Sequence, residues 1–145
     1  RLMNNIREEK GYTYNIFSML DTMHSDGLFY IGTEVGNEFK ERTIAEIYAE
    51  MEQLREEPID AEEMDMVRNY LMGGFLTMLD GPFNVSEVVR TLITESLPLD
   101  FFEQWVNKVA HITPDELQGL AQKYLKPEEM WEVAVGDATP PALCP

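Results

Sequence analysis

The chain has 145 residues, 44% of them hydrophobic and 26% charged, which is enough to build a folded domain with a sizeable core. Its 27 acidic and 11 basic residues give a formal charge of -16, which disfavours nucleic acid and anionic membranes as partners. The single cysteine, Cys144, excludes an internal disulfide framework and a multi-cysteine metal site. No apolar run approaches the length of a membrane span.

A short amphipathic helix is predicted at the start of the chain. Leu2, Met3 and Ile6 form its apolar side, and Gly11 can take the left-handed conformation that ends it. Because Arg1 already lies inside this helical pattern, we expect the chain to be a fragment that lacks N-terminal sequence.

A β-hairpin is predicted next. One strand begins at Tyr12 and continues to Ser18, and a second runs from Leu28 to Val35, both rich in aromatic and β-branched residues. Asp26-Gly27 favours a turn at the end of the connection, which is long for a tight hairpin. Alternation along the first strand places Tyr12 and Tyr14 on the same face.

Several helices and a late strand follow. The predicted helix starts are near Thr43, at Asp60, near Ser86, near Asp100 and at Thr113. Within the second of these helices, Gly73-Gly74 indicates either close packing against a neighbour or a local kink. A strand is predicted over 131–135. This order gives an α+β fold, with an antiparallel sheet covered by several helices.

The segment Ile6-Arg7-Glu8-Glu9-Lys10-Gly11-Tyr12-Thr13-Tyr14 resembles part of a known family. In the second domain of the M16 metallopeptidases, the insulinase and mitochondrial processing peptidase family, the equivalent segment reads Leu-Arg-Glu-x-x-Gly-x-x-Tyr. The later helix starts follow in the same order, so the resemblance covers nearly the whole chain. It implies the LuxS and M16 peptidase type of fold. Residues 1–137 would then be the C-terminal part of one such domain, without its N-terminal part, and residues 138–145 a tail.

The resemblance implies that Arg7 and Tyr14 contact a peptide substrate, across a chamber from a zinc site on an N-terminal domain or partner subunit. An arginine and a tyrosine hydroxyl are both donors that can hold a peptide carbonyl or stabilise the oxyanion formed from it. Spacing alone equally fits a structural role, in which Arg7 pairs with Glu8 or Glu9 and Tyr14 is an ordinary strand aromatic. Tyr12 is the alternative to Tyr14.

Zinc ligands and catalytic groups are not recognisable in this sequence. Zinc hydrolysis needs three protein ligands and a general base. The family takes two histidine ligands and the base from His-x-x-Glu-His, which is missing here, and the third ligand from a later glutamate. His24 and His111 are the only histidines, lie far apart and belong to no metal motif. We therefore assign no catalytic residue and no metal ligand, and expect zinc in the full-length protein or its partner.

Two functions agree with the resemblance. The first is the substrate-contacting C-terminal portion of a zinc-dependent metallopeptidase that hydrolyses peptide bonds and is inactive alone. The second is a non-catalytic partner or structural subunit of the same family. A third interpretation, an unrelated α+β interaction domain, requires the resemblance to be coincidental.

Overall fold

The computed structural model describes residues 1–23 and 25–136, and its contacts divide the chain into two compact units. The first unit takes Arg1–Glu56 and the chain from Gln122 onward, and the second takes Glu57–Ala121. His24 and the predicted tail, residues 138–145, lie outside the described residues. The predicted domain bounds stay a prediction.

The N-terminal helix, Met3–Glu9, is wound more widely than the predicted helix. The Lys10 N–H donates to the Asn5 carbonyl, five residues back, as in a π-helix. Gly11 ends the helix at φ +64°, which confirms its predicted role. Its N–H donates to the Arg7 carbonyl, and the Tyr12 N–H donates to the Ile6 carbonyl. These two bonds bracket Gly11 as in a Schellman ending, each spanning one residue more.

The hairpin consists of β1 (Thr13–Thr22) and β2 (Gly27–Val35), paired antiparallel with Thr22 opposite Gly27. The hairpin is confirmed, but its predicted long connection is wrong, because β1 continues past Ser18. The Met23 N–H donates to the Asp26 carbonyl at 2.8 Å, and the Asp26 carboxylate accepts from the Gly27 N–H at 2.9 Å. These two bonds hold the turn immediately beyond the last pair of the ladder.

Helix α1 (Lys40–Glu56) follows a 3-10 turn at Asn37–Phe39 and begins slightly before the predicted start near Thr43. Met51 and Thr43 on this helix are 3% and 1% exposed. Ile6 of the N-terminal helix and Ile16 of β1 are 0% and 2% exposed. These buried side chains of the first unit come from the N-terminal helix, β1 and α1.

The strand predicted over 131–135 is wrong. After a 3-10 turn at Pro127–Glu129 these residues lie outside any strand, and Trp131, Val133 and Val135 are 94%, 87% and 97% exposed. A strand needs a neighbour to satisfy its backbone N–H and C=O groups. Among the described residues, β1 and β2 pair only with each other, so the apolar alternation at 131–135 has no ladder to join.

The remaining helices are α2 (Ala61–Met78), α3 (Pro82–Thr94), α4 (Phe101–His111) and α5 (Pro114–Tyr124). Asp60 caps α2 by accepting from the Glu63 N–H at 2.9 Å. At the start of α5 the Thr113 hydroxyl accepts from the Glu116 N–H, and the Glu116 carboxylate accepts from the Thr113 N–H, a reciprocal capping box. Both predicted caps are confirmed. None of the described helices is long and apolar enough to cross a membrane.

Helix α3 begins earlier than the predicted start near Ser86. Pro82 occupies its first turn, where the missing N–H of proline costs nothing, and Gly81 precedes it at φ +84°. The same dipeptide ends one helix and starts the next.

The second unit is held by contacts between α2 and α4. Phe75 is 4% exposed and meets Trp105 edge to face, with an interplanar angle of 73°. Arg68 donates to the carbonyls of Val109 and Ile112 at 3.3 and 3.0 Å, at the end of α4. These bonds satisfy helix-terminal carbonyls that have no partner within the helix.

The glycine pair inside α2 has no close neighbour. A Cβ placed on Gly73 or Gly74 meets no atom of the described residues within 4 Å, apart from the local backbone of the helix itself. The interpretation that close packing explains the pair is therefore wrong for the described part of the chain. The helix runs through both positions without interruption.

Candidate functional site

Arg7 lies on the last turn of the N-terminal helix, with its side chain 44% exposed. Its Nε lies 3.4 Å from Glu8 Oε1, and the Glu8 side chain is 62% exposed. The structural interpretation of Arg7 as a partner of Glu8 is thus realised. An exposed pair of this kind contributes little stability, because water solvates both charges. Arg7 can therefore leave Glu8 for another acceptor at small cost.

The helix that carries Arg7 is attached to α1 by a polar cluster of Asn5, Lys10, Glu46 and Glu50. The Asn5 amide nitrogen donates to Glu46 Oε2 at 3.2 Å and to Glu50 Oε1 at 2.7 Å. The reverse amide orientation would set its oxygen against both carboxylates, so these partners fix the orientation. The Lys10 ammonium forms an ion pair with Glu46.

Acidification should weaken this attachment. The Lys10 and Asn5 donors hold the pKa of Glu46 below its ordinary value of 4.5. A carboxyl whose pKa is lower in the folded state stabilises the fold above pH 4.5, and that contribution is lost as the pH falls through the folded pKa. We expect Glu46→Gln to reduce the acid-dependent loss of stability, measured by urea unfolding at neutral pH and below pH 4.5.

Glu41→Gln is the matched control, because it removes a carboxylate from the same helix. The Glu41 side chain is 81% exposed and pairs with Lys40. An equal effect of both substitutions would show that general charge, and not the Glu46 cluster, sets the acid response.

Tyr12 and Tyr14 do not share a face, contrary to the alternation expected for a regular strand. Tyr12 precedes β1 and stacks on Phe39, with ring centroids 5.0 Å apart and an interplanar angle of 15°. Tyr14 lies within β1 and is 95% exposed. Tyr12 is therefore engaged in packing, and Tyr14 is the tyrosine that is open to a ligand.

A β-bulge explains the exposure of Tyr14. Thr13 pairs with Val35 and Ile16 pairs with Thr33, so β1 advances three residues while β2 advances two. The extra residue lets Thr13 and Ile16, 8% and 2% exposed, both turn inward. Bulges of this type re-aim side chains. The sequence pattern predicted a regular strand and missed it.

A groove of about 430 Å³ lies beside the bulge. It is lined by Tyr14, Asn15, Phe17, Gly32, Thr33 and Glu34. Phe17 lies across Gly32, where a Cβ would come within 2.7 Å of its ring. Gly32 thus leaves room for the Phe17 ring, which lines the same groove as Tyr14.

The structure places the two predicted site residues in the first unit, on consecutive elements joined by the Gly11 turn. Within residues 1–23 and 25–136, Arg7 pairs with Glu8, Tyr14 lines the groove, and no hydrogen bond joins the two side chains. Each is a solvent-accessible donor. Together they can bind a polar chain such as a peptide at two points, but neither can serve as the base that activates water.

The described residues do not form a zinc site. No group of three or more His, Cys, Asp or Glu side chains is placed to hold a metal ion in the described part of the chain. His111 Nδ1 lies 2.8 Å from the Asn107 carbonyl, a bond within its own helix. The described residues therefore do not fit a zinc ion.

Arg7 and Tyr14 are thus two accessible donors on an α+β scaffold. The sequence model of the Peptidase M16 inactive domain matches residues 1–71. Six solved chains match, among them a crystal structure of the peptidase M16 inactive domain from Pseudomonas fluorescens, at 24% identity and a TM-score of 0.71. The match covers 86% of this chain and 30% of that one. The comparison with curated proteins gave no match.

Residues 1–71 thus belong to the M16 peptidase inactive-domain family, and the chain has the α+β fold of that domain. The matched region contains both Arg7 and Tyr14, together with the whole hairpin and α1. Since the chain spans 30% of the length of the solved relative, the activity of a whole protein is a separate question.

Proposed function

We propose that this chain is the substrate-contacting C-terminal portion of a zinc-dependent peptidase, in which Arg7 and Tyr14 bind the peptide and another domain or subunit carries the zinc. The observation that best supports the proposal is the position of Tyr14. Tyr14 lies at a bulge, is 95% exposed and follows Arg7 across the Gly11 turn. An exposed strand tyrosine forgoes roughly 1.5–3 kcal/mol of burial, and its ring and hydroxyl stay available to a ligand.

The charge of the chain agrees with a division of labour. Arg7 is one of only 11 basic residues against 27 acidic ones, and its exposed pair with Glu8 can be given up for a substrate group. Peptide carbonyls and a developing oxyanion are recognised by such donors. The zinc and its general base are assigned to sequence outside this chain.

The coding sequence that flanks this chain provides the first test. We expect it to encode a domain with His-x-x-Glu-His, or the gene to be expressed with a partner that has it. The purified full-length protein or complex should hydrolyse peptides, lose this activity to a chelator and recover it with zinc.

An intact companion domain without that motif, and a complex inert with zinc present, would contradict the proposal. That result would favour the non-catalytic subunit, which also agrees with a match to an inactive domain.

A further inference from the structure

The direction of the Tyr14 side chain is set by its backbone. The ring is 95% exposed, and its phenol oxygen has no hydrogen-bond partner in the described part of the chain, so side-chain packing does not fix its position. What is fixed is the bulge on which Tyr14 stands. The groups that hold the bulge therefore set the direction in which the Tyr14 Cα–Cβ bond leaves the strand.

Two threonine hydroxyls hold the bulge. Thr13 Oγ1 lies 2.7 Å from the Glu34 carbonyl, and Thr33 Oγ1 lies 2.9 Å from the Asn15 carbonyl. The Asn15 N–H donates to Thr13 Oγ1 at 3.2 Å. Each hydroxyl has one hydrogen, so Thr13 donates across the ladder to Glu34 and Thr33 donates to Asn15. This assignment gives every one of these groups a partner.

These bonds clamp the backbone on both sides of Tyr14. Thr13 precedes it and Asn15 follows it, and a bulge leaves one residue without a ladder partner. The two hydroxyls supply hydrogen bonds that the regular ladder would otherwise provide. Thr13 is 8% exposed, so water does not readily replace its hydroxyl.

We propose that Thr13 and Thr33 are positioning residues for the substrate site, with hydroxyls that hold the bulge and thereby direct Tyr14 toward the peptide. This inference rests on the proposed contact of Tyr14 with substrate. We expect that neither threonine touches the peptide and that both act through Tyr14.

The test uses the full-length protein or complex and a fluorogenic peptide. Thr13→Val keeps the shape and removes the hydroxyl, and Thr33→Val does the same on β2. We expect each to lower kcat/KM by up to about tenfold, the full loss expected for Tyr14→Phe. Thr13→Ser and Thr33→Ser keep the hydroxyl and should retain the wild-type value.

A structural role alone would not produce the coupling we expect. In a Tyr14→Phe background, Thr13→Val should cause no further loss, because the hydroxyl it would direct is already absent. NMR spectra with labelled tyrosine should show a shifted Tyr14 ring signal in the valine variants and an unchanged Tyr70 signal. Tyr70 is the control because it is 80% exposed on α2, in the second unit.

The outcomes separate the two proposals. If Tyr14→Phe alone has wild-type activity, the substrate contact fails, and a shifted Tyr14 signal in Thr13→Val still supports positioning of the ring. If the valine variants lose activity equally with Phe at position 14, if serine does not rescue, or if the Tyr14 signal stays unchanged, the positioning role is overturned. Should Thr13→Val not fold, Thr33→Val decides, because Thr33 is more exposed than Thr13.

Discussion

Arg7→Ala in the full-length protein or complex is expected to lower kcat/KM for peptide hydrolysis about 100-fold, the scale of losing one donor to a developing oxyanion. Tyr14→Phe should lower it about tenfold, since it removes one neutral hydrogen bond and keeps the ring. Zinc content should stay at the wild-type level in both variants, because no described residue of this chain forms a metal cluster. Hydrolysis of a fluorogenic peptide and metal analysis of the same samples measure these quantities.

Matched controls exist for both residues. Arg90→Ala removes an arginine that pairs with Glu87 and is 65% exposed, and Tyr70→Phe alters a tyrosine that is 80% exposed. Both controls lie in the second unit and should keep wild-type kcat/KM. Wild-type activity of Arg7→Ala and Tyr14→Phe, or equal losses in the controls, would remove the proposed substrate contact.

Phe75→Ala is expected to cost about 3 kcal/mol of the free energy of unfolding, at the low end of the range for buried phenylalanines. Phe75 is 4% exposed and meets the Trp105 ring, so truncation leaves a cavity and removes an aromatic contact. Trp105 is itself 40% exposed and can relax into part of the space. Chemical denaturation measures the difference.

Phe83→Ala is the matched control for this substitution. Phe83 is 86% exposed in the first turn of α3, so its removal should change the free energy of unfolding by less than about 0.5 kcal/mol. Similar costs for the two variants would show that Phe75 is not a core residue of the second unit.

Local chemistry made several elements predictable. Asp60 and Thr113 cap helices through side-chain bonds to residues three positions away, and Gly11 ends the first helix by its own backbone freedom. Such signals act within one turn of chain and are visible in sequence. Helix α3 starts at Pro82, earlier than the predicted start near Ser86. The difference arises because proline fits the first turn of a helix as well as the end of the preceding one.

The prediction of a strand at 131–135 is wrong for the opposite reason. Trp131, Val133 and Val135 alternate as in a strand, but a strand is defined by its neighbour, and residues distant in sequence decide whether one exists. The bulge in β1 is similar. It depends on a hydroxyl of Thr33 meeting the backbone at Asn15, eighteen positions earlier. Single-strand patterns contain no information on such pairs.

The sequence therefore supplied the candidate residues of the site but not their geometry. Arg7 and Tyr14 were identified from a segment that resembles a family, and the family match over residues 1–71 confirms the resemblance. The separation of Tyr12 from Tyr14, the groove beside Phe17 and the attachment of the helix by Lys10 all depend on tertiary contacts. The substrate role of the pair stays a proposal.

The most direct measurement of the central claim is site-specific photocrosslinking. A photoreactive phenylalanine analogue replaces Tyr14 in the full-length protein or complex, and a labelled peptide that the assembly cleaves is added with the zinc removed. If Tyr14 contacts the substrate, we expect a crosslink at position 14 that unlabelled peptide competes away. We expect none when the analogue replaces Tyr70. No crosslink at position 14 in an assembly that binds the peptide, or equal crosslinking at both positions, would contradict it.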